Sequence, residues 1–260
     1  MKHKISLISR KIAKGEKTVF FTGAGISTES GISDYRSKGG LWDKFKPVYF
    51  DDFISSKKAR IEYWKQKTEL YQDLIQAKPN PAHIAIAQLH KMGLLEAVIT
   101  QNIDGLHQES GLPDQKIVEL HGNTRRVRCL SCNKIFSEDE VQLRIESGDL
   151  SPACQCGGYL KPDTISFGQA MPVEAVEKAV ELSRNCDLFI VVGSTLIVHP
   201  AAQMPYYAKE NDAFLVVLNL SETPCDKMCD VLIRGKAGEV LQKILNEIVE
   251  FRGKEDLRFD

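Results

Sequence analysis

Short apolar runs alternate along most of the chain with longer segments whose apolar positions recur at helical spacing. The short runs predict buried strands at residues 18–22, 97–100, 188–192, 215–219 and 231–233. The helical spacing predicts helices at residues 5–13, 59–75, 81–92, 173–184, 200–209 and 239–249. This alternation is typical of a parallel sheet covered by helices on both faces, so we expect an α/β fold with a Rossmann-like sheet.

Two stretches interrupt the alternation. Residues 33–56 are rich in Gly, Lys and aromatic residues and only weakly periodic, which predicts a long functional loop. The second stretch holds two close cysteine pairs: Cys129 with Cys132, and Cys154 with Cys156. Such pairs are typical of a structural zinc site, and four thiolates leave no open position for a catalytic metal. An unligated or disulfide-linked arrangement is the alternative.

Composition excludes several classes of protein. The chain has 34 Lys and Arg against 35 Asp and Glu, so it lacks the basic field of a dedicated nucleic-acid binder. Its apolar runs fall short of the ~20 residues of a membrane helix, and its first residues lack a signal-peptide core. The cysteine pattern favours a reducing compartment, so we expect a cytoplasmic protein. We expect Cys186 in the core and Cys225 and Cys229 in an exposed loop.

A glycine turn follows the first predicted strand. Gly23-Ala24-Gly25 precedes a predicted helix, an arrangement in which backbone N–H groups can approach a pyrophosphate. Thr28 stands where the dinucleotide-binding pattern has a third glycine, so a tight turn without a ligand is the alternative. After the second strand, Gln101, Asn102 and Asp104 should lie beside this turn, where amides suit ribose hydroxyls and a carboxamide. A helix-capping turn is the alternative there.

His121, in Glu119-Leu120-His121-Gly122, is the candidate general base, because an imidazole titrates near neutral pH and can take a proton from a sugar hydroxyl. A lone histidine is more often structural, and we expect that role for His83, His90, His107 and His199.

Together these motifs resemble the sirtuin family. The resemblance spans residues 5–249 and rests on Gly23-Ala24-Gly25-Ile26-Ser27, residues 31–36, residues 79–83, residues 100–104, His121-Gly122, the cysteine pairs, Lys161-Pro162-Asp163, Phe167-Gly168 and residues 192–195. It implies one catalytic domain over residues 1–260. Residues 1–125 and 162–260 would form the Rossmann-like NAD-binding part and residues 126–161 the inserted zinc module, with an acyl-lysine peptide between them.

The resemblance also assigns the site residues. Those expected to bind NAD are Gly23, Ala24, Gly25, Ser27, Thr28, Tyr35, Arg36, Gln101, Asn102, Ile103, Asp104, Gly193, Ser194, Thr195, Asn219, Lys236 and Ala237. Those expected to bind substrate are Tyr63, Gln66, Ile165, Phe167 and Gly168, with residues 165–168 pairing with peptide backbone. Asn102 and His121 would be catalytic, and the four paired cysteines would hold Zn²⁺.

The implied reaction is NAD-dependent deacylation of protein lysine, with release of nicotinamide and an acyl-ADP-ribose. Mono-ADP-ribosyl transfer or NAD hydrolysis in the same pocket is one alternative, and a non-catalytic NAD or ADP-ribose sensor is another. Ser33 and Gln169 depart from the commoner Pro and Glu of the family, and the second cysteine pair is shortened. The first two departures affect loop rigidity and peptide preference, and neither removes the proposed base.

Acyl preference follows from one helix. Sirtuins that prefer succinyl- or malonyl-lysine carry Tyr-x-x-Arg there, and the matching residues are Tyr63 and Gln66. Glutamine brings no charge, so we expect an uncharged acyl group to be preferred. Lys65 or Lys67 would weaken this argument if either turned inward, although neighbouring positions on a helix are expected to point away from Gln66.

Overall fold

The computed structural model describes residues 1–33 and 45–256. The strands are β1 Thr18–Thr22, β2 Ala97–Thr100, β3 Ile117–Glu119, β4 Gly122–Cys129, β5 Ile135–Ser137, β6 Leu160–Thr164, β7 Leu188–Val192, β8 Phe214–Leu218 and β9 Val231–Ile233. The helices are α1 Lys2–Ala13, α2 Phe50–Ser55, α3 Lys57–Gln76, α4 Pro81–Lys91, α5 Leu106–Glu109, α6 Glu138–Glu146, α7 Val173–Arg184, α8 Met204–Glu210 and α9 Ala237–Asp256.

The main sheet has six parallel strands in the order β3-β2-β1-β7-β8-β9. Side chains alternate along each strand, so Phe20 enters a core with α1, α4 and α9, and Phe21 enters the opposite core with α7 and α8. All residues of β1 and β7 are buried because both faces of the sheet are covered. The expected α/β Rossmann-like fold is confirmed.

A smaller, antiparallel sheet has the order β5-β4-β6. Its core combines Val127 and Leu160 of the sheet with Val141 of α6 and Trp64 of α3. We call α2, α3 and residues 122–164 the small lobe, and the six-stranded sheet with its covering helices the large lobe. The small lobe therefore draws on a helix that lies far before the cysteine pairs in the sequence.

Most predicted elements are present, and the five predicted strands agree to within one residue. The remaining strand of the six-stranded sheet, β3, was not predicted. Helix α2 lies within the segment predicted as a loop. The prediction of a helix directly after the glycine turn is wrong. Two short 3₁₀ turns, Ala24–Ile26 and Thr28–Ser30, take its place, and the second ends at Gly31, whose φ is 85°. Cys186 is buried as expected, whereas Cys225 is buried rather than exposed.

In the described part of the chain, none of the helices is both long and apolar enough to cross a membrane. Tyr35 and Arg36 lie outside the described residues.

Candidate functional site

A cleft of about 1190 Å³ lies where the carboxyl ends of β1, β2, β7 and β8 face the small lobe. Most of the predicted site residues line it: Gly23, Ala24, Gly25, Thr28, Tyr63, Gln66, Gln101, Asn102, Ile103, His121, Ile165, Phe167, Gly168, Gly193, Ser194, Thr195, Asn219, Lys236 and Ala237. The fold thus gathers side chains that are distant in sequence into one continuous wall. Ser27 and Asp104 are buried behind that wall.

The glycine turn packs directly against the end of β7. The N–H of Gly25 donates to the carbonyl of Gly193 at 2.8 Å, and a Cβ on Gly25 would lie 2.8 Å from Gly193 Cα. Gly193 itself has φ 63°, and a Cβ there would lie 2.2 Å from the Ile26 nitrogen. These glycines are therefore required by the contact between two strand ends, and the Gly25 N–H is already engaged within the protein.

Asn102 is fixed by hydrogen bonds from behind the cleft wall. Its Nδ2 donates to Ser27 Oγ at 3.1 Å, and the Ser27 hydroxyl donates to an Asp104 carboxylate oxygen at 2.7 Å. The other Asp104 oxygen accepts the Leu106 N–H at 3.0 Å. Burial raises the pKa of Asp104, although both hydrogen bonds act to lower it. Ser27 and Asp104 thus support the residues of the wall from a buried position.

Another link joins the ends of β2 and β7, because Gln101 Nε2 donates to Ser194 Oγ at 2.8 Å. This bond fixes two predicted NAD-binding side chains relative to each other at the edge of the sheet. The amide oxygen of Gln101 takes no part in it.

His121 lies between β3 and β4, where the large lobe joins the small lobe. Its Nδ1 lies 3.0 Å from the carbonyl oxygen of Gln101. A carbonyl only accepts hydrogen bonds, so Nδ1 carries the proton of the neutral ring and Nε2 keeps its lone pair. Burial lowers the pKa of His121 despite the opposing hydrogen bond to Gln101. The imidazole is therefore in its basic form at neutral pH.

The glycine after His121 is required by the same junction. Gly122 has φ 75°, and a Cβ there would lie 1.9 Å from the carbonyl oxygen of Asp163 on β6. The His121 carbonyl in turn accepts the Ile165 N–H at 2.9 Å. The backbone around the candidate base is thereby bonded directly to the segment predicted to pair with peptide.

The four sulfurs of the paired cysteines lie within 4.8 Å of one another. Cys129 and Cys156 are 3.5 Å apart at sulfur, and Cys132 and Cys154 are 3.7 Å apart. Zn–S bonds of about 2.3 Å in a tetrahedron place sulfurs about 3.8 Å apart. The residues therefore fit a zinc ion, and the single spacer between Cys154 and Cys156 does not prevent it.

Comparison with known proteins agrees with this geometry. The sequence profile of the Sir2 family matches residues 23–200. The chain is 46% identical to the NAD-dependent protein deacetylase of Thermodesulfovibrio yellowstonii, over 94% of this chain and 95% of that protein. The chain belongs to the Sir2 family. The sirtuin resemblance is thereby confirmed.

Two solved Sir2 structures extend the match to the whole fold. One, described in work on the mechanism and regulation of Sir2 enzymes, has a TM-score of 0.85 and 41% identity, covering 96% of this chain and all of that chain. The other, a Sir2 complex with a p53 peptide and NAD⁺, has a TM-score of 0.82 and 37% identity, covering 92% of this chain and 96% of that chain.

The helix α3, which carries Tyr63 and Gln66, differs in one respect from expectation. Tyr63 is buried and Gln66 donates from Nε2 to the Lys46 carbonyl at 3.2 Å. Lys67 also lines the cleft, with Nζ 5.4 Å from the Tyr63 ring centroid, so it turns inward, which is the case that weakens the argument from Gln66. Burial acts to raise the pKa of Tyr63, but nearby Lys67 and Lys161 lower it to about 8. The cleft wall here is more cationic than the sequence suggested.

The predicted peptide-pairing segment is partly engaged within the protein. The Ser166 N–H donates to Gln169 Oε1 at 3.1 Å, and the Phe167 carbonyl accepts the Phe50 N–H at 2.9 Å. Gln169, which replaces the commoner glutamate, therefore supplies the same kind of acceptor to the turn. These bonds reduce the number of backbone groups left for a peptide, and the pairing stays a prediction.

Sequence reasoning missed several residues of the cleft wall. Glu29 lines the cleft and accepts the Gly238 N–H at 2.8 Å, which joins the turn after β1 to the start of α9. Residues 197–200, residues 220–221 and Phe45 also line it. The position of Phe45 within the long segment predicted as a functional loop was the one available signal.

Proposed function

We propose that this Sir2 protein removes acyl groups, chiefly acetyl, from lysine side chains of proteins in an NAD-dependent reaction. The observation that carries the proposal is the state of His121, a neutral imidazole with its lone pair on Nε2 in a cleft of dinucleotide size. The similarity to a protein named NAD-dependent protein deacetylase supports it. So does the similarity to a Sir2 complex with a peptide and NAD⁺.

The chain's residues would divide the work as follows. The glycine turn, Ser194 and Asn219 line the part of the cleft that would hold the adenosine and phosphates, and Gln101 and Asn102 line the part beside His121. NAD would supply a nicotinamide leaving group and the ADP-ribose that takes the acyl group. His121 would accept a ribose hydroxyl proton at Nε2, and Asn102, bonded to Ser27, would orient the ribose.

Zinc would be held by the four paired cysteines and would act structurally, since four thiolates complete its coordination. Its part would be to shape the small lobe, which forms one wall of the cleft. We place the reaction in the cytoplasm, where thiols remain reduced and available to the metal.

Incubation with NAD and an acetyl-lysine peptide, followed by mass spectrometry, tests the proposal. We expect free nicotinamide, deacetylated peptide and O-acetyl-ADP-ribose in equal amounts. ADP-ribosylated protein, or free ADP-ribose with intact acetyl-peptide, would favour the transferase or NAD hydrolase instead. Binding of NAD without turnover would favour the sensor.

A further inference from the structure

Two buried imidazoles lie behind the cleft wall. His83 of α4 is fully buried and His107 of α5 is 2% exposed, and their ring centroids are 5.0 Å apart at an interplanar angle of 64°. We call them the imidazole pair. Neither ring lines the cleft, so the reaction proposed above leaves them without a part.

Hydrogen bonds determine where His83 carries its proton. The backbone N–H of Asn80 donates to His83 Nδ1 at 3.3 Å. Nδ1 is therefore an acceptor, and the neutral ring carries its proton on Nε2. Within the described part of the chain, that buried Nε2 has no hydrogen-bond partner.

The proton of His107 follows from two threonine hydroxyls. Thr22 Oγ1 lies 2.9 Å from His107 Nε2 and donates to Thr100 Oγ1 at 2.8 Å. A hydroxyl has one proton to donate, so His107 Nε2–H must be the donor to Thr22. His107 Nδ1 then keeps a lone pair and, like His83 Nε2, has no partner among the described residues. The two unpartnered nitrogens belong to adjacent rings and are complementary, one a donor and the other an acceptor.

The chain of hydrogen bonds ends at a predicted catalytic residue. Thr100 Oγ1 accepts the backbone N–H of Asn102 at 3.0 Å. On the other side of the ring contact, His83 accepts from Asn80, whose Nδ2 donates to the Ile26 carbonyl at 2.7 Å and to Ser30 Oγ at 3.0 Å, in the turns that follow β1. The imidazole pair therefore joins the two loops that form the floor of the cleft.

We propose that His107 and His83 are positioning residues for Asn102, both as neutral rings: His107 acts through the hydroxyls of Thr22 and Thr100, and His83 acts by packing against the His107 ring. The inference rests on the function proposed above, because it assumes that Asn102 orients the ribose. Burial lowers the pKa of His83 to about 4 and places that of His107 well below its ordinary value, so both stay neutral. A charged ring would carry a donor at every nitrogen and could not accept the Asn80 N–H.

Three substitutions separate positioning from packing. His107→Leu removes the donor to Thr22, His107→Gln keeps a side-chain N–H donor, and Thr22→Val removes the hydroxyl at nearly constant volume. We expect kcat to fall about ten- to a hundredfold in His107→Leu and Thr22→Val, with KM for NAD within about threefold. His107→Gln should recover most of kcat. His90→Leu, at a part-exposed histidine outside the chain of bonds, is the control and should change neither constant.

A double-mutant cycle with Asn102→Ala tests the route. If the pair acts through Asn102, Thr22→Val should cause almost no further loss of kcat in the Asn102→Ala background. Additive losses, or Thr22→Val at wild-type kcat, would overturn the proposal. Should His107→Leu fail to fold, Thr22→Val and His107→Gln still decide it.

Nitrogen NMR of the imidazoles gives a readout that needs no activity. The His107 signals, assigned by their loss in His107→Gln, should show a neutral ring protonated on Nε2 at neutral pH. A ring protonated on Nδ1, or a charged one, would refute the arrangement even in an active enzyme. If the wild-type protein turned out not to deacetylate, the proposed function would fail, and these spectra would still decide the state of the pair.

Discussion

The two lobes that meet at the cleft are stabilised in different ways. The large lobe has an apolar core on each face of its sheet, built from five helices and six strands. The small lobe has one core of seven buried residues, and two of these, Cys129 and Cys154, are expected zinc ligands. A core of that size supplies little burial energy, so the small lobe should depend on its metal in a way that the large lobe does not.

This difference explains where the polar chemistry lies. The large lobe can bury Asn102, Asp104 and the imidazole pair at its edge because the cores beneath are extensive and most of these polar atoms are hydrogen-bonded, through Ser27 and Thr22. Only one nitrogen of each imidazole has no partner among the described residues. The small lobe contributes mainly shape and charge, through Tyr63 and Lys67. His121 lies at the junction of the two lobes and away from the cysteines. Substituting the base should therefore affect the reaction, whereas removing the metal should affect the folding of the small lobe.

Removing the base should have the largest effect on chemistry. We expect His121→Ala to lower deacetylation by on the order of 10² or more, because a general base contributes about 10²–10⁴. NAD affinity should stay within a few-fold, since the substitution removes the bond to the Gln101 carbonyl but leaves the turn at Gly25 and the bond between Gln101 and Ser194 in place. Product formation and calorimetric NAD binding measure the two effects, with His90→Ala as the control. A folded His121→Ala protein with normal turnover would contradict the assigned role.

Removing the metal should affect the small lobe first. We expect one Zn²⁺ per chain with sulfur neighbours at about 2.3 Å, measurable by elemental analysis and X-ray absorption. Cys129→Ser should lower thermal stability and activity together, because metal binding is coupled to folding. Cys229→Ser, at a part-buried cysteine of the large lobe, is the matched control and should retain its zinc. Active protein without bound metal would refute this prediction.

The same contrast determines what could be predicted from sequence. Strands β1 and β7 are buried on both faces, so they appear as continuous apolar runs. Strand β3 has three residues, Ile-Val-Glu, which are only part-buried and end in a charged residue, and it was missed. Strand β9 is as short, but its Val-Leu-Ile is a wholly apolar run, and it was predicted. The helix predicted after the glycine turn failed because local pattern gives no information on Gly193, whose backbone packs against that turn.

The site was predictable by position and less so by contact. Strand-end placement located Asn102 beside the glycine turn, and cysteine spacing located the four thiols. The bond from Ser27 to Asp104 joins residues 77 positions apart, and no sequence period reports it. The inward orientation of Lys67 could not be decided from the sequence for a similar reason. The angles between neighbouring side chains on a helix follow from the sequence, but which of them faces the cleft depends on how the helix packs.

The loss of activity at low pH should report the environment of His121. Its pKa lies below 6.5, so the neutral base persists as the pH falls past the ordinary histidine value. We expect deacetylation to hold through pH 6.5 and to be lost only below it, as the ring becomes protonated. A pH profile of kcat/KM measures this, with melting temperature recorded at each pH to separate unfolding from titration. A midpoint above 6.5 that involves this histidine would contradict the effect of burial.

The smallest expected effect concerns the acyl group, and it comes from the small lobe. Gln66 cannot pair with a carboxylate as arginine does, so acetyl-lysine should be cleaved faster than succinyl-lysine. Lys67 brings one positive charge to the same wall, although an ammonium gives no bidentate pairing. We therefore expect Lys67→Gln to lower the succinyl rate further while acetyl changes little, which a peptide panel read by kcat/KM would measure.

Gln66→Arg should shift the preference toward succinyl-lysine, but by less than an arginine without a neighbouring carboxylate would. Gln66 Nε2 already donates to Glu62 Oε1 at 2.9 Å, one helical turn away, and that carboxylate would pair with the introduced arginine. The combined variant Glu62→Gln with Gln66→Arg removes this competition and should show the larger shift toward succinyl. Glu62→Gln alone, the matched control, should leave the acetyl-to-succinyl ratio near that of the wild type. If succinyl-lysine were the best substrate of the unaltered protein, the wall around Tyr63 would be recognising carboxylates without arginine, and the assignment of Gln66 would be wrong.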